Sequence, residues 1–410
     1  MGKKFKFALH WQILTGICLG ILFGIFCHEY TCYTKWLGDI FLRGLQMVVI
    51  PLVFSALVMG VSSIGESADL GRIAGKTFAY YVTTTIIACI LGLLLVNVFQ
   101  PGKGLDLNFQ ENITSVAATE VSFLDQIISI VPDNIVKAMA EGKMLPVIFF
   151  AILFGFFITV STNKTRTLLT DLFNGFYEVM IKVTFLVIRF APFGLFGVAS
   201  GMIGAQAGNP KALGALFGSL GIYSAIIAGG CLVQGFAILP SIFASFTRKN
   251  PYRFMKQMGT GLTTAVFTAS SAASLPITLR DIQEKTGVSR KIAGFCLPLG
   301  NTVNMNGTAL FECVTAIFIA QVYGVDLTLG EQVVVILTSL LAAIGAAGIP
   351  LAGLVMLAVI LNAVGLPLEG IGLVLVVQQP LDMIRTGVNV WGDLTGAAII
   401  AKSEGEKLNL

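Results

Sequence analysis

The last apolar segment of the chain contains, at residues 381–393, the stretch LDMIRTGVNVWGD. An ionised side chain at the centre of a bilayer costs at least about 2.5–3.5 kcal/mol, so such groups persist where they face protein, a cavity or a ligand. The polar residues of this stretch stand at offsets of 0, 3, 4, 7 and 11, which is one face of a helix. They are Asp382, Arg385, Thr386, Asn389 and Asp393. This face predicts a binding site, and the alternative is a set of structural ion pairs between helices.

The composition is that of a polytopic membrane protein. Of the 410 residues 55% are hydrophobic and 12% are charged, whereas a soluble domain carries about 25% charged residues. The net charge of +4 is modest and gives no sign of nucleic-acid binding. Most of the seven cysteines lie in apolar segments, and both histidines lie at the edges of the first span. We therefore expect no disulfide framework, no zinc site and no enzyme.

Apolar runs of about 20 residues each predict six spans in the first part of the chain. They lie at about 7–27, 37–63, 78–99, 145–160, 172–201 and 212–246. Lysine and arginine cluster at the N-terminus and at 72–76, 164–166 and 248–256, while the intervening loops nearly lack them. The positive-inside rule then places the N-terminus in the cytoplasm.

Two later segments have both of their ends on one side. The run 258–279 lies between two basic loops and is interrupted by TASSAASLP at 268–276. The run that follows residue 331 is broken by GAAGIPLAG at 345–353 and ends in an acidic loop. We therefore predict two re-entrant hairpins that enter from opposite faces, and the alternative is two misassigned spans.

These segments, with spans at about 291–322 and 371–401, predict an all-α polytopic membrane protein. It has eight transmembrane helices and two re-entrant helical hairpins arranged as inverted repeats. Paired interrupted segments in inverted halves are typical of transporters that bind their substrate near the bilayer midplane. The compact loops and short termini favour a bacterial inner membrane, with both termini in the cytoplasm.

The span between the hairpins reads NTVNMNGT at 301–308. Asparagines and a glycine in mid-span predict local unwinding, which frees backbone carbonyls. Carbonyl, amide and carboxylate oxygens are the ligands that hard cations take, and Asp393 is the natural anionic partner. The alternative is an amide network that joins helices.

A bound amino acid needs an acid for its ammonium group and donors for its α-carboxylate. Asp382 suits the ammonium group, and Asn389, Ser271 and backbone N–H groups at the hairpin tips suit the carboxylate. Arg385 either holds a side-chain carboxylate or pairs permanently with Asp382. The sequence leaves both roles open.

These motifs resemble those of the dicarboxylate/amino acid:cation symporter family, which includes the excitatory amino acid transporters. The resemblance covers nearly the whole chain and is strongest at 270–276, 304–308, 345–350 and 382–393. It implies a homotrimer in a lipid bilayer, with scaffold helices in residues 1–75 and 123–205. It also implies that residues 76–122 and 206–410 form a transport domain that moves as an elevator.

The resemblance also implies ligand contacts. Those for the substrate are Ser271, Thr308, Ile349, Asp382, Arg385, Thr386 and Asn389. One implied sodium site uses Gly300, Asn304, Asn389 and Asp393. A second uses the carbonyls of Thr302 and Met305 with the outer hairpin tip, and a third uses Tyr81, Thr84, Thr85, Asn304 and Asn306.

Several positions depart from the family pattern. Asn306 stands where members usually have aspartate, which predicts a weaker third cation site and fewer coupled sodium ions. Glu312 resembles the glutamate that carries a proton in proton-coupled members, so Na+ and H+ are both candidate coupling ions. Ala269, Gln378 and Gln379 likewise stand where members commonly have charged residues.

We therefore expect a secondary active symporter that imports glutamate or aspartate. Two further classes stay open, namely a symporter of the same fold for neutral amino acids or C4-dicarboxylates, and a channel-like, anion-conducting member. Arg385 favours an acidic substrate, and Asp382 favours an amino acid over a plain dicarboxylate.

Overall fold

The computed structural model describes residues 9–62, 68–105, 128, 131–206, 209–345 and 352–409, and every regular element in these ranges is helical. The N-terminal half contains α1 (Leu9–Phe26), a 3-10 turn (His28–Tyr33), α2 (Lys35–Ser62), α3 (Ala68–Phe99), α4 (Ile135–Ala140), α5 (Met144–Thr159), α6 (Asn163–Arg189) and α7 (Ala191–Gln206). The C-terminal half begins with α8 (Pro210–Val233), a π turn (Gln234–Ile238), α9 (Leu239–Thr247), α10 (Pro251–Gln257), α11 (Gly259–Thr268) and α12 (Ser271–Thr286). It continues with α13 (Arg290–Val303), α14 (Asn306–Val322), α15 (Leu329–Gly345), α16 (Ala352–Ala363), a 3-10 turn (Leu368–Gly370) and α17 (Ile371–Ser403).

The described helices include several that are long and apolar enough to cross a membrane. Four pass this test, at Lys35–Ser62, Arg72–Phe99, Lys211–Thr247 and Arg290–Val322. A fifth is added if α6 and α7 count as one span, although their axes are bent by 51°. The chain is therefore a multi-pass helical membrane protein, and the number of eight spans remains a prediction.

The bend between α6 and α7 replaces the single span that the sequence predicts at about 172–201. Pro192 is the second residue of α7 and lacks the N–H that would continue the α6 hydrogen-bond ladder. Proline also disfavours the helical conformation of the residue before it. The apolar run is therefore continuous in sequence but changes direction at residue 190.

Helices α11 and α12 form an antiparallel helical hairpin at the first predicted interruption. The chain turns at Ala269, whose φ is +47°, and Ser270 caps α12 by accepting from the Ala273 N–H at 3.3 Å. A Cβ placed on Gly261 would lie 2.5 Å from Thr278 Cγ2, and these residues are almost equally distant from the turn. The two arms therefore pack along their length, as the interrupted run predicts.

Helices α15 and α16 pack on each other and flank the second predicted interruption. A capping box starts α15, in which Thr328 N–H donates to Glu331 Oε2 at 2.7 Å and Glu331 N–H donates to Thr328 Oγ1 at 3.3 Å. The helix ends at Gly345, where the sequence predicts the break. The tip, with the candidate contact Ile349, lies outside the described residues.

The helices pack as two groups. Helices α1, α2, α5, α6 and α7 contact one another, and α3, α8 and α11–α17 gather around α14 and α17. Helix α14 is buried along its whole length except at Gln321. The second group therefore has α14 at its centre, and α15, α16 and α17 provide its main contacts with the first group.

The segment after α17 ties that helix to α3 and to the start of α13. Glu404 accepts from Arg72 and Lys76 of α3 at 2.6 Å each, and these hydrogen bonds lower the pKa of its carboxyl to about 2. Glu406 Oε2 accepts from the Ser289 N–H at 2.9 Å, at the start of α13. The ends of α3, α13 and α17 are thereby held together on one side of the protein.

Helices α1 and α7 lie unusually close because glycine recurs every four residues along α1. Gly16, Gly20 and Gly24 face the backbone of α7, and a Cβ on Gly20 would lie 2.6 Å from the Phe196 carbonyl oxygen. Small residues at this spacing let membrane helices approach closely.

We expect Gly20→Ala to lower the melting temperature of the purified protein in detergent, because the added methyl group forces the two backbones apart at a cost of about 1–3 kcal/mol. Gly218→Ala on α8 is the matched control, since a Cβ there meets nothing within 4 Å. The control should keep or raise the melting temperature. Equal melting temperatures for the two variants would contradict the close packing of α1 on α7.

Candidate functional site

The polar face of α17 points into the protein interior. Its five residues are each at most 6% exposed, and contacts from this face reach the segment between α13 and α14. The buried residues are Asp382, Arg385, Thr386, Asn389 and Asp393. The residues that the sequence places on one helix face are thus within reach of the interrupted helix.

The helix between the hairpins is interrupted where the asparagines and glycine predict it, because α13 ends at Val303 and α14 begins at Asn306. Asn389 Oδ1 accepts from the N–H groups of Gly307 and Thr308, at 2.8 and 3.3 Å. These two N–H groups are therefore diverted from the carbonyls four residues earlier. The Asn389 amide also donates to Thr308 Oγ1 at 3.0 Å. One side chain on α17 thus stabilises the interruption.

Arg385 forms the pair with Asp382 that the sequence leaves open, and part of its hydrogen-bonding capacity stays unused among the described residues. Its Nη2 donates to Asp382 Oδ1 at 2.6 Å, and its guanidinium lies 3.8 Å from the centre of the Phe311 ring. Its Nε and Nη1 have no hydrogen-bond partner among the described residues. A Cβ on Gly353 of α16 would lie 3.1 Å from Nη1, so these donors lie beside the second hairpin. Each of these two donors can hold one carboxylate oxygen through a charge-assisted hydrogen bond.

Oxygen atoms from three helices converge beside the interruption. Asp393 Oδ1 accepts from Asn304 Nδ2 at 2.9 Å, and Thr84 Oγ1 lies 3.5 Å from Asn304 Oδ1. Gly300 lets them meet, because a Cβ there would overlap the Asp393 carboxylate and lie 2.7 Å from the Tyr81 hydroxyl. Carboxylate, amide and hydroxyl oxygens are ligands of hard cations, and a buried carboxylate requires a compensating charge. This donor set fits a sodium ion.

The residues proposed for two further cation sites are less complete. Thr85 Oγ1 donates to Asn306 Oδ1 at 2.9 Å, while Asn306 Nδ2 has no partner among the described residues. An amide in place of a carboxylate offers one oxygen and no charge. At the second site, Met305 O already accepts from the Ala309 N–H at 2.8 Å. The hairpin tip that would complete this site lies outside the described ranges.

Glu312 lies on α14 one turn beyond Thr308 and is fully buried. Neither of its carboxylate oxygens has a hydrogen-bond partner in the part of the chain that the structure describes. Arg385 is a charged group that interacts with it electrostatically. Because an unpartnered buried carboxylate is costly when ionised, Glu312 suits a role in which it binds and releases a proton.

The structure differs from the sequence-based expectations at Ser271 and at Phe311. Ser271 begins α12 and is buried, but no hydrogen bond links it to α17 among the described residues. Phe311, which stacks under Arg385, was not predicted from the sequence. It stands three residues after Thr308, so helical spacing places it on the site face of α14 but does not identify Arg385 as its partner.

A buried site around an interrupted helix in a multi-pass protein, beside one helical hairpin and a further pair of packed helices, is typical of a membrane transporter. The chain belongs to the sodium:dicarboxylate symporter family, whose model matches residues 9–403. It is 36% identical over 425 residues to the proton/glutamate-aspartate symporter of Escherichia coli K12, covering 98% of this chain and 94% of that protein. It is 36% identical to the proton/sodium-glutamate symport protein of Bacillus caldotenax, covering 98% and 96% of the two chains. It is 33% identical to mouse excitatory amino acid transporter 3, covering 97% and 86%.

We expect Gly300→Ala to weaken sodium binding about tenfold, because the new methyl group displaces Asp393 or Tyr81 at a cost of about 1–3 kcal/mol. Binding is measured as the rise in melting temperature when sodium chloride replaces choline chloride. Gly294→Ala is the control on the same helix, since a Cβ there meets nothing within 4 Å. A sodium-dependent shift that is unchanged in Gly300→Ala would refute the assignment of a cation to this cluster.

Proposed function

We propose that this chain is a secondary active symporter that imports glutamate or aspartate. The observation that carries the proposal is the buried Arg385, which contacts Asp382 and still has two donors without partners among the described residues. Such a guanidinium favours a substrate with a second carboxylate over a neutral amino acid. The names of the bacterial relatives, which are symporters of glutamate or of glutamate and aspartate, support the same substrate class.

Each part of the substrate has a partner in this scheme. The ammonium group binds Asp382, and the side-chain carboxylate binds Arg385 and the neighbouring Thr386. The α-carboxylate binds Asn389, Thr308 and the start of α12 at Ser271, where a helix N-terminus favours negative charge. Ile349, at the tip of the second hairpin, covers the substrate.

The coupling of substrate transport to ions follows from the position of Asn389, which belongs both to the substrate contacts and to the cation cluster. Its side chain stabilises the interruption at Gly307 and Thr308, and it lies one turn before Asp393. A sodium ion held by Gly300, Asn304, Asn389 and Asp393 therefore fixes the backbone that contacts the substrate. Such coupling is reciprocal, so substrate raises the affinity for the ion by the same factor. Glu312 carries a proton as the second coupling ion.

The proposal includes an assembly and an orientation. The chain forms a homotrimer in a bacterial inner membrane, with both termini in the cytoplasm and eight spans plus two re-entrant hairpins. Helices α1, α2 and α4–α7 form the scaffold, and the remaining helices move as an elevator. The separation of the packing into two groups supports this division.

Uptake by proteoliposomes tests the function. Radiolabelled aspartate is offered under an imposed sodium gradient, an imposed pH gradient, or both. With the membrane potential held at zero, we expect accumulation above the external concentration, which a channel cannot produce. Equilibration without accumulation would favour an anion-conducting channel on the same fold. Accumulation of succinate in preference to aspartate would favour a C4-dicarboxylate symporter, and preference for alanine would favour a neutral amino acid symporter.

Replacing Arg385 by Cys should reduce aspartate uptake at least about tenfold, since a charge-assisted pair contributes about 1.5–3 kcal/mol. Uptake of serine or alanine should be retained or increased. Arg189→Cys, an exposed arginine at the end of α6, is the control and should leave selectivity unchanged. Unchanged aspartate affinity in Arg385→Cys would show that Arg385 only pairs with Asp382.

Replacing Glu312 by Gln should abolish the stimulation of uptake by an inward proton gradient, because glutamine cannot release a proton. Stimulation by a sodium gradient should remain. The control is Gln321→Glu, which places a carboxyl on the same helix outside the site and should not alter the response to pH. Stimulation by a pH gradient that survives in Glu312→Gln would assign the proton to another group.

A further inference from the structure

A second cavity lies on the opposite side of α17 from the polar face. It has a volume of about 210 Å³ and is lined by the end of α8, the π turn, α10, α11 and α17. Its lining is apolar except for one thiol and one indole N–H. The side chains that matter most are Leu232, Phe236, Met255, Leu262, Val388 and Trp391.

The cavity exists because glycine forms part of two of its walls. A Cβ on Gly235 would lie 3.5 Å from Val388 Cγ2, and one on Gly387 would lie 2.7 Å from Val266 Cγ2. An apolar cavity of about 150 Å³ stays dry and binds apolar molecules in another protein. The present cavity is larger, so we expect it to bind a hydrocarbon chain.

The rim of the cavity is joined to the basic helix α10. Pro240 has no N–H, so the Phe236 carbonyl lacks the donor that a regular helix would supply. The hydroxyl of Tyr252 on α10 donates to this carbonyl at 2.9 Å. Phe236 itself is 52% exposed at the rim. Lys256 stands four residues after Tyr252 and therefore on the same face of α10.

Basic residues stand at the end of α9 and along α10, next to this rim. Arg248, Lys249, Arg253 and Lys256 are all exposed, and the sequence contains no acid between Glu178 and Asp281. No salt bridge to any of the four is found within the described ranges. Basic side chains at the membrane surface attract anionic lipid at about 1 kcal/mol each.

We propose that this cavity binds one acyl chain of an anionic glycerophospholipid whose phosphate contacts Arg253 and Lys256. The lipid comes from the leaflet beside α10, which is the cytoplasmic leaflet in the orientation proposed above. Ile384 and Val388 in the cavity wall alternate along α17 with Arg385 and Asn389 of the site. A bound chain therefore packs the first arm of the hairpin, α11, against the helix that carries the substrate contacts.

Fluorescence of Trp391 tests the proposal in the full-length protein. Trp11 and Trp36 are replaced by Phe, which leaves Trp391, only 2% exposed, as the one remaining tryptophan of three. The purified protein is titrated in detergent with phosphatidylglycerol brominated on its acyl chain. Bromine quenches tryptophan fluorescence on contact, so we expect saturable quenching of the Trp391 fluorescence. Brominated phosphatidylcholine and a brominated fatty acid serve as probes of the headgroup.

Two sets of variants separate the cavity from the charge. Gly235→Leu fills the cavity and should abolish the quenching, whereas Gly235→Ala adds only an ordinary contact and should retain it. The double variant Arg253→Gln with Lys256→Gln should weaken phosphatidylglycerol binding about thirtyfold, because each basic side chain contributes about 1 kcal/mol to the binding of anionic lipid. The double variant Lys164→Gln with Arg166→Gln removes the same charge from the start of α6 and should have no effect.

Three results would overturn the proposal. Absence of saturable quenching would show that no chain enters the cavity. Equal affinity for phosphatidylglycerol, phosphatidylcholine and the fatty acid would show that no phosphate is recognised. Unchanged quenching in Gly235→Leu, with the helical content of that variant verified by circular dichroism, would place the lipid elsewhere. None of these results depends on transport, so failure here is distinguishable from failure of the proposed function.

Discussion

The structure depends on two backbone N–H groups, those of Gly307 and Thr308, that donate to the side chain of Asn389 instead of to their own helix. In a bilayer every backbone polar group requires a partner inside the protein, so an interrupted helix survives only where other helices supply one. Helix α17 supplies it here, and the complete burial of the start of α14 keeps lipid away from the interruption. The position of Asn389 on α17 then determines where Arg385 and Asp393 lie, one turn to either side.

The end of the site at Asp393 and the end at Arg385 are joined through α14 and α17. Asn304 contacts Asp393 across the interruption, and Thr308 contacts Asn389 a few residues further along the same two helices. A ligand that displaces one of these two pairs of residues therefore changes the distance between α14 and α17 at the other pair. Glycine at position 300 allows the close approach beside Asp393, as glycine at position 353 does beside Arg385. Both close approaches require the absence of a side chain.

The sequence predicted the elements of this site better than their contacts. A charged stripe in an apolar span and asparagines beside a glycine have unambiguous physical costs in a bilayer, so the burial of α17 and the break near residue 304 were predictable. The contact of Phe311 with Arg385 was not, because helical periodicity specifies a face but not which side chain of a neighbouring helix meets it. The bend at residue 190 was missed because the apolar run continues through it, although Pro192 was a signal. For Arg385 the sequence left two roles open, and the structure shows that the pair with Asp382 uses only part of its hydrogen-bonding capacity.

Helix α5 has a consequence for the surrounding membrane. It has 16 residues, from Met144 to Thr159, with a lysine directly before it. At 1.5 Å per residue it rises only about 24 Å, whereas the hydrocarbon region is about 30 Å thick. Its neighbour α2 has 28 residues, but Asp39 and Arg43 lie in its first three turns, so its apolar part begins after Arg43 and is close to that thickness. We therefore expect the bilayer to thin, or side chains at the helix ends to reach toward the headgroups, beside α5 and not beside α2.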